Sequence, residues 1–186
     1  MLGGQQLFPC FARANEIGGS RVVSESIQHG PGDAPPVLPL DAARLTPHAR
    51  PMLAVDRVLS AAAGSGVVEL RAQAGAWYMR DDGIWDEIAG IELISQAAAA
   101  ISGLTPPAGA TRPPVCFLAE VRRYRVHGEV RTGDELRISI RPTGEFGGFF
   151  VTEGTLRRGD DILATAELTF WRDDRAGGAA AGPNHD

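Results

Sequence analysis

The residues best placed for proton chemistry sit in one short run, Ile91-Glu-Leu-Ile-Ser-Gln-Ala, where a single carboxylate interrupts an otherwise uncharged stretch. Glu92 lies four residues after Ile88 and three before Ser95, so at helical spacing it shares a side with apolar and small residues. Gln96 follows one turn later on the same row. A carboxylate enclosed on such a face loses hydration, which disfavours its charged form and suits it to exchange protons. Turned towards water or towards an arginine, the same residue would be an ordinary surface charge, and spacing alone leaves both readings open. Gln96 either orients backbone or ligand or is a capped polar group in the core.

The element that must position them is read as one helix from Ile84 to Leu104. Asp86 and Glu87 suit the positive end of its dipole, and Gly103 with Pro106-Pro107 stops it. Ile88, Ile91, Ile94, Ala98 and Ile101 form one stripe, and small Ala97, Ala99 and Ala100 cover much of the rest. A helix apolar nearly all round is one enclosed by other structure, so this should be a central helix.

Composition narrows the classes. The chain has 186 residues, 44% of them hydrophobic, with 18 basic and 23 acidic residues and a net charge of −5. That size supports one core-forming domain with tails, and the acidic balance argues against nucleic acid as a partner. Cys10 and Cys116 lie far apart without metal-ligand spacing, which predicts two bystanders in a reducing compartment, no disulfide framework and no metal. No apolar run reaches the length of a membrane span, and the first residues lack the basic and apolar regions of a signal peptide, so the expected location is the cytoplasm.

Along the chain, residues 1–37 mix Gly, Ser, Gln and Pro without periodicity and are expected to be a loosely attached extension. Residues 38–172 form the domain, and 173–186 a flexible tail. A strand is expected from about Met52 to Ser60, then a turn at Gly64-Ser-Gly and a second strand in which Val68, Leu70, Ala72 and Ala74 alternate with polar residues. After the helix come about four strands, from Val115, Gly133, Gly147 and Arg158 onward, with a bulge near Arg122 and Arg123. Short connections make the sheet antiparallel, and one apolar helix must bury itself against the concave face. The predicted class is α+β, a sheet of five to six strands wrapped round a long central helix, with open edges that a homodimer would cover.

Four phrases carry a family likeness: Pro47-His-Ala-Arg-Pro-Met-Leu-Ala-Val-Asp-Arg-Val, Ile91-Glu-Leu-Ile-Ser-Gln-Ala, Phe117-Leu-Ala-Glu-Val-Arg-Arg-Tyr-Arg-Val and Arg131-Thr-Gly-Asp-Glu-Leu. Together they resemble the hotdog-fold beta-hydroxyacyl-acyl-carrier-protein dehydratases of fatty-acid synthesis, and more closely their relatives in polyketide and aryl-polyene clusters. The resemblance implies reversible syn-elimination of water from a 3-hydroxyacyl thioester to the trans-2-enoyl thioester, with no cofactor beyond the phosphopantetheine of an acyl carrier protein or CoA. In it a carboxylate and an imidazole divide the proton transfers, and the helix N-terminus polarises the thioester carbonyl.

By motif Glu92 is the family's helix glutamate and Gln96 the glutamine after it; Gly90 and Phe117 are candidates to touch substrate or to back the residues that do, with ordinary core as the competing reading of Phe117. The family's Gly-His-Phe-Pro histidine is absent from Trp77-Tyr-Met-Arg-Asp-Asp-Gly-Ile-Trp, and the usual Pro-Gly pair falls on Asp86-Glu87. His48 is then the candidate imidazole, with a structural role as its competing reading. Arg122, Arg123, Arg125 and Arg131 form a basic cluster that would suit an acidic carrier protein or would simply be a solvated strand face. Two alternatives stand beside the dehydratase: a hotdog acyl thioesterase, and a non-catalytic subunit that binds acyl chains or pairs with an active dehydratase as a heterodimer, with higher oligomers open in either case.

Overall fold

The computed structural model describes residues 37–104 and 115–173. Seven strands, β1 (Leu40–Asp41), β2 (Arg57–Ala62), β3 (Ser65–Arg71), β4 (Val115–Val126), β5 (Glu135–Phe146), β6 (Phe149–Arg158) and β7 (Asp161–Asp173), surround one helix, α1 (Ala89–Ser102). They form a single antiparallel sheet in the order β1-β2-β3-β5-β6-β7-β4. This is the expected α+β hotdog architecture, with a two-residue strand added at one edge. The expected extension 1–37 and tail 173–186 fall almost wholly outside the described residues.

The alternation read from the sequence becomes burial. Leu136, Ile138 and Ile140 of β5, Leu156 of β6, and Ala164, Ala166, Leu168 and Phe170 of β7 all face inward onto the helix. Gly154 of β6 explains how close the helix can lie, because a Cβ there would fall onto the Ile94 side chain. The helix therefore rests directly on sheet backbone, and eleven of its fourteen residues are buried. Tight turns join the strands: Ala63 and Gly64 (φ 50° and 76°) close the β2–β3 hairpin, and Gly147 and Gly148 (φ 54° and 82°) close β5–β6. The predicted bulge lies between Arg122 and Arg125, with Arg123 at φ 51°.

Three boundaries differ from expectation, each because a backbone group is used elsewhere. The helix starts at Ala89, not Ile84: Ile84 bridges Arg131, and the Trp85 amide donates to Val130. The first long strand begins at Arg57, not Met52, because the Met52 carbonyl and Ala54 amide bond to a helix side chain. The second strand covers Ser65–Arg71, earlier than expected, and the Ala72 amide bonds to Asp134 in the loop before β5. Gly103 does end the helix, but by close approach: a Cβ there would strike the Leu45 backbone.

Candidate active site

Glu92 stands on the first turn of α1, and the segment crossing in front of that turn is the loop 46–56 that feeds β2. Gln96, fully buried, binds the two together. Its amide nitrogen donates to the Met52 carbonyl and to Glu92 Oε1, both at 2.9 Å, while its oxygen accepts the Ala54 amide at 2.8 Å. Trp77 Nε1 donates to the same Met52 carbonyl. Arg50 reaches Asp56 at 2.8 Å, and Asp56 accepts the Arg71 amide on β3. These bonds tie the loop to the helix and to β3, with His48 facing the helix. His48 Nε2 lies 3.5 Å from Glu92 Oε1, and its Nδ1 lies 2.7 Å from Thr46 Oγ1.

The pair opens on a cavity of about 300 Å³ lined by Pro47, His48, Glu92 and Ser95 on one side and by Cys116, Leu118 and Phe170 on the other. Glu92 lies between the two readings its spacing left open: 38% of its side chain is accessible, and 28% of that of His48. The reason is geometric, since it occupies the helix end that meets the cavity and not the part packed on the sheet. An acid and an imidazole separated by a gap that a small shift would close, beside an apolar-walled cleft, can accept and donate protons on one face of a bound molecule.

A family model described as ApeP-like: ApeP dehydratase matches residues 40–179. The chain belongs to that family. Its fold is shared with "The Dehydratase Heterocomplex ApeI:P from Xenorhabdus doucetiae", at 19% identity over 76% of this chain and 95% of that one, with a TM-score of 0.66. It is shared also with smu.793 from Streptococcus mutans UA159 bound to acetyl CoA (17% identity, 67% and 93% covered, TM-score 0.53) and with the E. coli PaaI protein from the phenylacetic acid degradation operon (12%, 64% and 79%, 0.51). No curated protein matches. The family is the one the motifs pointed to, a hotdog dehydratase of the aryl-polyene type.

In this ApeP-like chain the other candidate residues fall in varied places. Gly90 is buried against Trp85 and Tyr124, and a Cβ there would collide with the Tyr124 hydroxyl, so its small size serves packing. The helix N-terminus is already occupied: the amides of Ile88, Ala89, Gly90 and Ile91 bond to Asp86 Oδ1 and to the carbonyls of Asp86, Glu87 and Ile88. These four donors are not offered to a thioester in this arrangement, contrary to what the resemblance implies. Tyr124 Oη donates to the Glu87 carbonyl, and burial, with Glu87 and Asp86 nearby, pushes its phenol up to about 12. Phe117 borders the cavity, yet it is 54% exposed and its ring stacks on Trp171 at 5.9 Å.

Of the basic cluster, Arg122 pairs with Glu120, Arg123 with Glu167 and Arg131 with Glu129, while Arg125 is exposed. Its charge is therefore largely answered locally. Cys116 corrects the reading of the cysteines as reduced bystanders: it lines the cavity and is disulfide-bonded, and the chain's other cysteine lies outside the described residues. Among the described residues no cluster could hold a metal ion.

Sequence reasoning missed Thr46, Trp77 as a loop anchor, and the Arg50–Asp56 clamp. Thr46 carried a readable signal, because a hydroxyl two residues before an amide is the spacing of a local side-chain turn. The clamp joins loop to β3 through tertiary contact, which no local pattern encodes.

Proposed function

We propose that this protein removes water from 3-hydroxyacyl thioesters, borne on the phosphopantetheine of an acyl carrier protein or CoA, to give trans-2-enoyl thioesters. The carrying observation is the Glu92–His48 pair, 3.5 Å apart and facing one cavity, in a chain of a dehydratase family. Elimination requires a proton to leave C2 and a proton to reach the departing C3 hydroxyl, and a carboxylate beside an imidazole supplies both functions. Gln96 keeps Glu92 oriented and the His48 loop seated on the helix.

Edge pairing belongs to the same reading. β4 ends the sheet, and Phe117, Leu118 and Val121 expose apolar surface along it. An open apolar edge is a template for another strand, so a homodimer joined along β4 would close the cavity's outer wall. Arg125 and its neighbours would lie beside the entrance as a docking surface for an acidic carrier.

A second reading keeps the site but changes the partner. The same exposed edge would accept a different hotdog chain, and one structural neighbour is a dehydratase heterocomplex, so this chain could serve as the subunit of a mixed pair. Among the described residues no helix is long and apolar enough to cross a membrane. The test is to give purified protein a 3-hydroxyacyl thioester and follow enoyl absorbance alongside thiol release. Enoyl formation without thiol supports the proposal. Thiol release without enoyl indicates a thioesterase, and activity that appears only on adding a second hotdog chain indicates the mixed pair.

A further inference from the structure

Beneath the imidazole lies a buried hydroxyl whose bonding determines which ring nitrogen holds the hydrogen. Thr46 is 6% exposed, and its Oγ1 accepts the backbone N–H of His48 at 3.1 Å and sits 2.7 Å from Nδ1 of the same residue. A threonine hydroxyl has one hydrogen to give and two lone pairs to receive. One lone pair is taken by the His48 amide. If Nδ1 carried a hydrogen, it would fill the second, and the hydroxyl hydrogen would be left without an acceptor among the described residues. If the hydroxyl donates to bare Nδ1, every group is satisfied, as buried polar groups require.

We propose that Thr46 is a positioning residue that holds His48 as the Nε2–H tautomer, so that the protonated nitrogen is the one 3.5 Å from Glu92 Oε1. Glu92 Oε1 then accepts a hydrogen bond from Gln96 Nε2 at 2.9 Å and faces the His48 Nε2–H from 3.5 Å.

The consequence for chemistry rests on the dehydratase reading. Nε2 presents a hydrogen and no lone pair, so the base is Glu92. The carboxylate takes the C2 proton; the electron pair of the broken C2–H bond becomes the second C2–C3 bond. The C3–O bond breaks with its pair on oxygen, and that oxygen takes the proton from the Glu92 carboxyl and departs as water. His48 remains neutral and donates a hydrogen bond throughout. Because one carboxyl serves both atoms, both transfers occur on one face.

Long-range proton–nitrogen correlation spectra of the ¹⁵N-labelled full chain, recorded without substrate at a pH where imidazoles are neutral, read the tautomer directly. The His48 signals are assigned by their loss in His48→Asn. The expected result is an Nε2–H ring in the wild type and in Thr46→Ser, and a mixture of tautomers in Thr46→Val, whose near-equal size preserves the packing. An Nδ1–H ring in the wild type, or a Thr46→Val spectrum unchanged from it, overturns the proposal. A protein that yields no enoyl product would sink the dehydratase reading while leaving the spectra to decide the tautomer.

Discussion

On one side of the cavity, the segment from Thr46 to Asp56 is bound to its surroundings by Gln96, Trp77 and the Arg50–Asp56–Arg71 chain. On the other side runs β4, which among the described residues pairs only with β7, with two register shifts and exposed apolar side chains. The first wall is held by bonds within this chain, and the second, among the described residues, is bonded along one side alone. The bonds within this chain hold His48 and Glu92 in register, whereas on the proposed reading the enclosure around a substrate depends on a second subunit pairing with β4. Geometry of the reacting groups and closure of the cavity are thus separate properties, open to separate disruption.

The largest effect should come from Gln96→Leu, which breaks the built wall. It strips the Ala54 amide of its buried acceptor and frees both Glu92 and the loop, so urea unfolding should show a loss of about 3 kcal/mol, with activity gone. Gly90→Ala comes next: its methyl must displace Tyr124 and press on Trp85, with an expected loss of about 2 kcal/mol in the same measurement. Leu118→Lys with Val121→Lys attacks the unfinished wall instead. Light scattering should show the assembly reduced to monomers, while the monomer's own stability moves by no more than about 0.5 kcal/mol.

Tyr124 gives an effect on stability smaller than those of Gln96→Leu and Gly90→Ala, and one that depends on pH. Its phenol is raised in the folded state to about 12, so its contribution is fully present below the ordinary tyrosine range near 10 and is lost as pH climbs through 12. Tyr124→Phe should flatten that alkaline fall in unfolding midpoint and cost about 1 kcal/mol at neutral pH through the lost bond to Glu87.

How much of this was legible in the sequence follows the same division. The central helix and the inward residues of β5, β6 and β7 could be read because period and burial coincide there. Glu92, Gln96 and His48 stood in recognisable phrases, yet their mutual distances depend on residues 42 to 44 positions apart, such as Gln96 reaching Ala54 and Met52. The helix start was misplaced because Ile84 and Trp85 have helical character but find strand-like partners at Arg131 and Val130. The half-exposed setting of Glu92 was left open for a related reason: a helical wheel records which side a residue faces and not whether a cavity lies there.

If Glu92 moves the protons, the rate of enoyl formation from a 3-hydroxyacyl thioester should collapse in Glu92→Gln, compared with wild type at equal unfolding midpoint. Glutamine keeps the size and can still accept a hydrogen bond from Gln96, but it cannot take a proton. The account predicts a loss of about 100-fold or more. An undiminished rate in Glu92→Gln would contradict it.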